Sequence, residues 1–139
     1  MADRIQLDVI TPERGVLSET VDFVSVPGLG GEIGILPGHT PLISQLQTGV
    51  LTYTQGALTE RLLVAGGFVE VNRDRVSVLA EQAERADEID PAAARQARDQ
   101  AERALGAFTG ESADFERARA ELDRANARLQ LAEQNPPRG

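Results

Sequence analysis

The chain has 139 residues, of which 41% are hydrophobic and 26% are charged. Since domains commonly run to about 100–150 residues, this length holds one ordinary domain with a short appendage and excludes two large domains. The net charge of −8 argues against nucleic acid and anionic lipid as partners, because both require a basic surface. Without cysteine there can be no disulfide, thiolate metal site or thiol nucleophile. A protein partner is the favoured interpretation.

The amino-terminal residues do not combine a basic stretch with a long apolar core, and no apolar run approaches the ~20 residues that cross a bilayer. We therefore expect a chain that is neither exported nor inserted by itself. Absence of cysteine permits a reducing compartment. The cytoplasm is the predicted location.

Charge is distributed unevenly along the chain. Residues 1–90 contain 14 acidic residues and 6 arginines, whereas residues 91–139 contain 8 of each. Asymmetry of this kind indicates two physically distinct pieces. We predict a first domain over residues 1–86 and a second over residues 87–139.

The first piece has the pattern of β-strands. Apolar residues alternate with a period of two in short runs that end at glycine, proline or small polar residues. The clearest runs are 5–9, 16–26, 50–53, 62–64, 68–71 and 76–79. Turns are predicted at 11–12, 27–28, 37–38, 66–67 and 72–74. Many short strands without intervening helices predict an antiparallel β-sandwich or barrel.

The second piece has the composition of helices. After residue 87, alanine, arginine, glutamine and glutamate predominate, and these residues favour helix. Asp90 followed by Pro91 predicts a helix start, because aspartate accepts hydrogen bonds from the first amides and proline lacks one. We predict helices over residues 91–105 and 113–132, separated by a segment with glycine at both ends. The result is a helical hairpin.

Two stripes of apolar residues form the predicted seam of this hairpin, with spacings that alternate between three and four. They are Ala94, Ala97, Ala101, Ala104 and Phe108 on the first helix, and Phe115, Ala118, Leu122, Ala125, Leu129 and Ala132 on the second. Burial of one methyl group stabilises by less than about 1 kcal/mol. We therefore expect a marginally stable hairpin that is able to change position.

Three features of the first domain resemble catalytic or binding motifs. His39, the single histidine, has no recognisable metal-binding or nucleophilic partner nearby in the sequence, so a structural or interface role is favoured over catalysis. The glycine-rich run 28–34 has Ile33 where a phosphate-binding loop needs its last glycine, so a tight turn is the better interpretation. Glu32, on the predicted loop, is either simply solvated or a contact for a basic partner.

Charged clusters in the second part also have two interpretations. The acidic residues 81–90 do not match a calcium loop, so a solvated linker is favoured and no metal is predicted. Arginines on the second helix could bind phosphate, but acids lie three or four residues away from several of them. A solvated, ion-paired helix face is therefore preferred. These arginines are Arg117, Arg119, Arg124 and Arg128.

The stretch GEIGILPGHTPL at residues 31–42 resembles the signature region of F-type ATP synthase epsilon subunits. Supporting segments follow the same order, namely LDVITP at 7–12, AGGFVEV at 65–71, VSVLA at 76–80, Asp114-Phe115 and Arg124-Ala125. The similarity covers essentially the whole chain and is strongest over residues 5–80.

This resemblance implies a ten-stranded β-sandwich followed by a helical hairpin. It further implies a non-catalytic rotor subunit that binds the gamma subunit and the polar loops of the c-ring and transiently meets the alpha and beta subunits. Glu32, Gly34 and His39 are the implied interface residues. The implied location is peripheral, on the cytoplasmic face of the bacterial inner membrane. Such a subunit couples proton-driven rotation to ATP synthesis and performs no chemistry itself.

Some members of the family bind ATP on the folded hairpin, and the hairpin of some restrains ATP hydrolysis. Asp90, Arg124 and Arg128 match the implied ATP contacts, but Ala93 stands where those members have arginine. Weak or absent ATP binding is therefore expected, with no cofactor. Two alternatives to a coupling subunit are a regulatory nucleotide-binding module on this scaffold and a free-standing sandwich enzyme or ligand-binding domain.

Overall fold

A computed structural model describes residues 4–107 and 113–134. The chain divides into two compact units, Met1–Arg85 and Ala86–Gly139. Among the described residues, none of the helices has the length and apolar character that crossing a membrane requires.

The described part of the first unit contains ten strands in two five-stranded sheets. They are β1 (Ile5–Ile10), β2 (Gly15–Val21), β3 (Phe23–Gly28), β4 (Gly31–Ile35), β5 (His39–Gln45), β6 (Gly49–Gln55), β7 (Leu58–Ala65), β8 (Phe68–Arg73), β9 (Arg75–Leu79) and β10 (Gln82–Arg85). The first sheet has the order β2-β1-β9-β8-β5 and the second β10-β7-β6-β3-β4. The predicted β-sandwich is confirmed.

One ladder departs from the predicted antiparallel arrangement, because β1 and β9 pair in parallel. Parallel neighbours cannot be joined by a hairpin and need a long crossover connection. The seven intervening strands supply that connection. Short-range sequence patterns cannot reveal the direction of this pairing, because apolar and polar residues alternate in both strands just as they would in an antiparallel pair.

The core lies between the sheets and follows the predicted alternation. In β1, Ile5, Leu7 and Val9 are fully buried, whereas Gln6 and Asp8 are half-buried on the opposite, outer face of the sheet. Full burial of a large aliphatic side chain stabilises by roughly 1.5–3 kcal/mol. The repeated inward residues of both sheets therefore hold the sandwich together.

Two boundaries differ from the prediction. Pro27 and Gly28 end strand β3, and the turn follows at Leu29 and Gly30. The predicted run 16–26 is two strands that separate at Asp22, whose carboxylate accepts hydrogen bonds from the Gly56 amide and Arg4. The chain passes there from the first sheet to the second, which an uninterrupted apolar pattern does not reveal.

The described part of the second unit contains two helices, α1 (Pro91–Gly106) and α2 (Ala113–Gln134), preceded by a 3-10 turn at Ala86–Glu88. As predicted, Asp90 caps α1, its Oδ1 accepting from the amides of Ala92 at 3.0 Å and Ala93 at 3.4 Å. The helices pack against each other, and α2, the longer helix, also contacts the 3-10 turn. Few residues separate the helices, so they form an antiparallel hairpin.

The buried faces of the helices only partly follow the predicted heptad stripes. On α1, Ala94 and Ala101 are buried and Ala97 is half-buried, but Ala104 is exposed and Leu105 is half-buried instead. A straight helix has 3.6 residues per turn, so its inner face drifts from a strict heptad. Phe108 lies outside the described residues.

On α2, Ala125 is fully buried, and the other predicted seam residues are half-buried. Those residues are Phe115, Ala118, Leu122, Leu129 and Ala132. Ala127 and Leu131, which the stripe does not include, are also buried. The buried face of α2 is therefore wider than the predicted stripe, and the residue pairing across the seam stays a prediction.

Candidate functional site

The outer face of the first sheet carries an exposed row of apolar side chains. Strand register places Ile10 opposite Leu79, and Leu79 opposite Phe68. Directly opposite residues share a face and have Cβ atoms about 4.5–5.5 Å apart. These three side chains are 44%, 50% and 50% exposed, respectively. They form a continuous surface, here called the apolar row.

Ile43 extends this surface toward the edge of the sheet. It lies on β5 opposite Glu70, so it is diagonal to Phe68, and it is 71% exposed. A diagonal neighbour is within reach of an aromatic side chain. Exposed apolar side chains that cluster in this way are typical of protein interaction sites.

The same outer face has a polar half around Asp8. Its carboxylate accepts from Ser18 Oγ at 2.8 Å and from Gln6 Nε2 at 3.2 Å, and Arg75 lies 3.5 Å away. The hydrogen bond from Ser18 is the main cause that holds the pKa of Asp8 below its ordinary value. Burial opposes this lowering, and Gln6 and Arg75 add to it. The polar half is therefore a connected network beside the apolar row.

Glu32 lies on the outer face of the second sheet. It occupies β4, opposite Pro27, rather than the loop tip that the glycine-rich sequence suggests. Its carboxylate accepts a short hydrogen bond from the buried Ser25 hydroxyl. This bond holds the acidic side chain back over β3.

Gly34 lies two residues further along β4, opposite Ser25. A Cβ atom at this position would be 3.3 Å from the ring of Phe23. Side chains two residues apart in a strand point to the same face, so Gly34 and Glu32 lie on one face of β4.

His39 lies apart from Glu32. It begins β5 in the first sheet, opposite Arg73, and its Nδ1 is 2.7 Å from the Thr40 carbonyl oxygen. Beside it, the Gly38 amide donates to Asp74 Oδ1 at 3.0 Å. Glu32 belongs to the other sheet, near the opposite end of the strands. The structure thus places two of the implied interface residues on different sheets.

The hairpin residues considered for ATP have structural partners. Asp90 caps α1 through Oδ1, and Arg124 forms an ion pair with Glu121 on the same helix. Arg128 follows one turn later and is half-buried. The described residues include no group of three potential metal ligands.

Sequence reasoning missed the apolar row, although a signal for it exists. Ile10, Phe68 and Leu79 each stand directly beside an inward-facing valine, so they break the alternation at a strand end. An apolar residue on the face opposite the core must be exposed or covered by a partner. The break in alternation would have predicted an interaction surface.

Comparison with known proteins identifies the family. The family model for the ATP synthase delta/epsilon chain β-sandwich domain matches residues 4–86, and the model for the long α-helix domain matches residues 87–133. The chain belongs to the ATP synthase delta/epsilon family. The resemblance carried by residues 31–42 is thereby confirmed.

Similar proteins cover nearly the whole chain. The ATP synthase epsilon chain of Syntrophobacter fumaroxidans is 48% identical over 96% of this chain and 98% of its own length. That of Nitratidesulfovibrio vulgaris is 46% identical, covering 94% and 97%, respectively. The chain is accordingly a non-catalytic subunit of ATP synthase.

Solved structures share the fold. A chain of the Euglena gracilis mitochondrial ATP synthase OSCP/F1/c-ring structure has a TM-score of 0.81 and 24% identity, covering 94% of this chain and 81% of that one. A chain of the Tetrahymena thermophila mitochondrial ATP synthase central stalk/c-ring structure has a TM-score of 0.61 and 14% identity, covering 96% of both chains. The arrangement of a sandwich followed by helices is therefore shared with ATP synthase chains.

Proposed function

We propose that the chain is a central-stalk subunit that joins gamma to the c-ring and thereby couples rotation to ATP synthesis. The apolar row is the observation that carries this proposal. In the cell the chain would be peripheral, on the cytoplasmic face of the bacterial inner membrane.

Gamma is the proposed partner of the apolar row. Ile10, Leu79, Phe68 and Ile43 expose about half or more of their side chains on one sheet face. Burial of apolar area gives about 25 cal/mol per Å², so covering this row supplies a substantial part of a stable interface. The adjacent network around Asp8 supplies the polar contacts that fix orientation.

The c-ring is the proposed partner of Glu32. Residues 1–90 have 14 acids and 6 arginines, a surplus of 8 acids. A basic polar loop complements both this charge and the carboxylate on the outer face of β4. His39, which lies on the first sheet, and Gly34, which lies on the second, complete the proposed set of interface residues.

Torque transmission requires a stiff body between the two partners. The close-packed core provides stiffness, because interdigitated side chains cannot slide without losing contacts. Hydrogen bonds also connect the second sheet to β2 of the first, from Arg85 to the Val16 carbonyl and from Gln55 to the Thr20 carbonyl. A rigid sandwich keeps gamma and the c-ring in fixed register without any chemistry.

A double substitution of the apolar row tests this function. Phe68→Ser with Leu79→Ser should weaken binding to purified gamma by about a hundredfold or more, since two interface anchors are lost. Leu58→Ser is the matched control, because Leu58 is 55% exposed but lies on β7 of the other sheet. Titration by fluorescence anisotropy measures both. Equal affinity of the double variant and the control would refute the proposed gamma surface.

We also propose that the hairpin is at most a weak regulator of ATP hydrolysis and does not sense ATP. Asp90 already accepts two amide hydrogen bonds, and Ala93 offers no cation. Deleting the hairpin would raise hydrolysis by the complete enzyme only modestly. Calorimetric titration should show the same negligible ATP binding for wild type and for Arg124→Ala with Arg128→Ala. Binding that this double substitution abolishes would instead support the nucleotide-binding alternative.

A further inference from the structure

Strand β10 is the last element of the first unit, which ends at Arg85. It lies at the edge of the second sheet and, among the described strands, pairs with β7 alone. Of its four residues only Ala83 is buried. Burial of a single methyl group contributes little to stability, so packing alone would hold this short strand weakly.

Two arginines connect β10 to the first sheet, and their hydrogen bonds run in opposite directions. Arg85, on β10, donates to the Val16 carbonyl of β2. Arg14, in the turn before β2, donates to the Ala83 carbonyl of β10 at 3.5 Å. This pair of bonds is here called the arginine clasp. Hydrogen bonds with a charged donor are stronger than neutral ones, so the clasp reinforces the ladder between β10 and β7.

The turn that carries Arg14 is itself held in place. The Thr11 amide donates to the Arg14 carbonyl at 2.8 Å, and the Arg14 amide donates to Thr11 Oγ1 at 3.2 Å. Thr11 is one of the few buried polar residues among those that the structure describes. The clasp therefore joins β10 to a well-anchored turn of the first sheet.

The residues that follow β10 belong to the hairpin. The 3-10 turn Ala86–Glu88 contacts α2, the Ile89 amide donates to the Ala86 carbonyl at 3.2 Å, and Asp90 caps α1. The hairpin thus holds the chain from Ala86 onward, whereas the clasp holds it as far as Arg85. Between these two sets of contacts only the junction of Arg85 with Ala86 remains.

We propose that the Arg85–Ala86 junction is the pivot of the hairpin, and that the arginine clasp keeps β10 in the sandwich when the hairpin changes position. Hinges are commonly a few residues at the end of an element, which absorb the change in φ and ψ. Movement of the hairpin would then leave the sandwich undisturbed. This inference rests on the proposed coupling role, because a sandwich that holds two partners in register has to be shielded from such movement.

Arg85→Met tests the clasp, because methionine keeps an unbranched side chain but cannot donate a hydrogen bond. Arg73→Met is the matched control: it makes the same change of residue and charge on β8, where Arg73 has no hydrogen bond or ion pair from its side chain within the described residues. In the full chain, hydrogen exchange of the β10 amides should be at least about tenfold faster with Arg85→Met than with the control, while the β6 amides exchange at the control rate. Equal exchange of β10 in the two variants, or equal acceleration of β6 and β10, would overturn the clasp.

Arg14→Met removes the other half of the clasp and provides a second variant. It should accelerate exchange of the same β10 amides relative to Arg73→Met, again without an effect on β6. Exchange of β10 at the control rate would show that the bond from Arg14 does not hold the strand.

Substitutions at Ala86 test the pivot. Proline fixes φ near the value of a 3-10 turn, whereas glycine widens the accessible range of φ and ψ. Asp87→Gly is the control, because it adds the same freedom inside the turn that contacts α2. The chain has no cysteine, so spin labels can be attached at Asn72→Cys and Gln130→Cys, both of which are exposed positions.

The distribution of distances between the two labels is measured by pulsed electron spin resonance on the full chain without gamma or c-ring. We expect the distribution to be at least about 1.5-fold wider for Ala86→Gly than for Ala86→Pro, with Asp87→Gly close to the unsubstituted sequence at residues 86 and 87. Equal widths for all variants, or an equal widening by Asp87→Gly, would overturn the pivot. Because no partner is present, either result leaves the coupling role standing, and that role is tested separately by Phe68→Ser with Leu79→Ser.

Discussion

At the scale of single residues, Gly67 is the position least able to accept a side chain. Its φ is +93°, and a Cβ atom would lie 2.0 Å from the Leu79 carbonyl oxygen. The turn between β7 and β8 therefore depends on glycine for both conformation and space.

We predict that Gly67→Ala lowers the free energy of unfolding by about 2 kcal/mol or more, because it combines left-handed strain with a backbone clash. Gly30→Ala is the control, since no atom lies within 4 Å of its added Cβ, and it should change stability by less than about 0.5 kcal/mol. Urea unfolding measures both. Similar values for the two variants would show that the β7–β8 turn can rearrange.

The lowered pKa of Asp8 predicts that this residue contributes to stability in a pH-dependent way. Its pKa is lowered in the folded chain, chiefly by Ser18, so the carboxylate stabilises the fold above its unfolded pKa of about 3.9. That contribution disappears as the pH falls through the lower, folded pKa. Asp8→Asn should therefore be less stable than wild type at pH 7, and the difference should shrink in acid. Thermal unfolding from pH 7 to pH 2 checks this, and a difference that does not vary with pH would contradict it.

At the scale of elements, α1 and α2 have an inner face that drifts from the heptad stripe. Ala101 is buried, whereas Ala104 is exposed, although both belong to the same predicted stripe. Alanine at the inner positions leaves little room for a larger side chain.

We predict that Ala101→Leu destabilises the hairpin by about 1–3 kcal/mol through overpacking, whereas Ala104→Leu changes its stability by less than about 0.5 kcal/mol. Helical circular dichroism of the full chain during thermal unfolding measures the difference. Equal destabilisation by the two variants would favour the strict heptad over the drifting face.

The elements also show which structural features can be predicted from the sequence. Alternation predicted the inward residues of β1, β8 and β9, and Asp90 with Pro91 predicted the start of α1, because local chemistry determines both. The split at Asp22, the parallel β1–β9 ladder and strand β10 depend on pairing between distant segments. β10 also has a single inward apolar residue, Ala83. One such residue shows no apolar alternation from which a strand could be predicted.

The candidate site was predicted less completely than the fold. Glu32 was singled out by its glycine-rich surroundings, but the bond from Ser25 joins two strands and has no local signal. Phe68 and Leu79 were interpreted only as strand residues, since their exposure depends on which face of each strand is covered. A surface formed by several strands becomes visible only when their register is known.

At the scale of the whole molecule, the two proposed partner surfaces of the sandwich lie on different sheets. The apolar row lies on the outer face of the first sheet, and Glu32 lies on the outer face of the second. A body that binds one partner on each sheet can hold both in register, provided that its core does not deform. The proposed role in the enzyme is therefore mechanical: the acidic surplus would favour a basic partner, and the packed core would keep the two partners in register.

The most direct test is proton-driven ATP synthesis by ATP synthase reconstituted in vesicles with Phe68→Ser and Leu79→Ser. The proposed coupling role predicts a loss of at least about tenfold in synthesis, while the Leu58→Ser enzyme retains the wild-type rate. Synthesis by the double variant at the wild-type rate would contradict the claim that this face links the chain to the rotor.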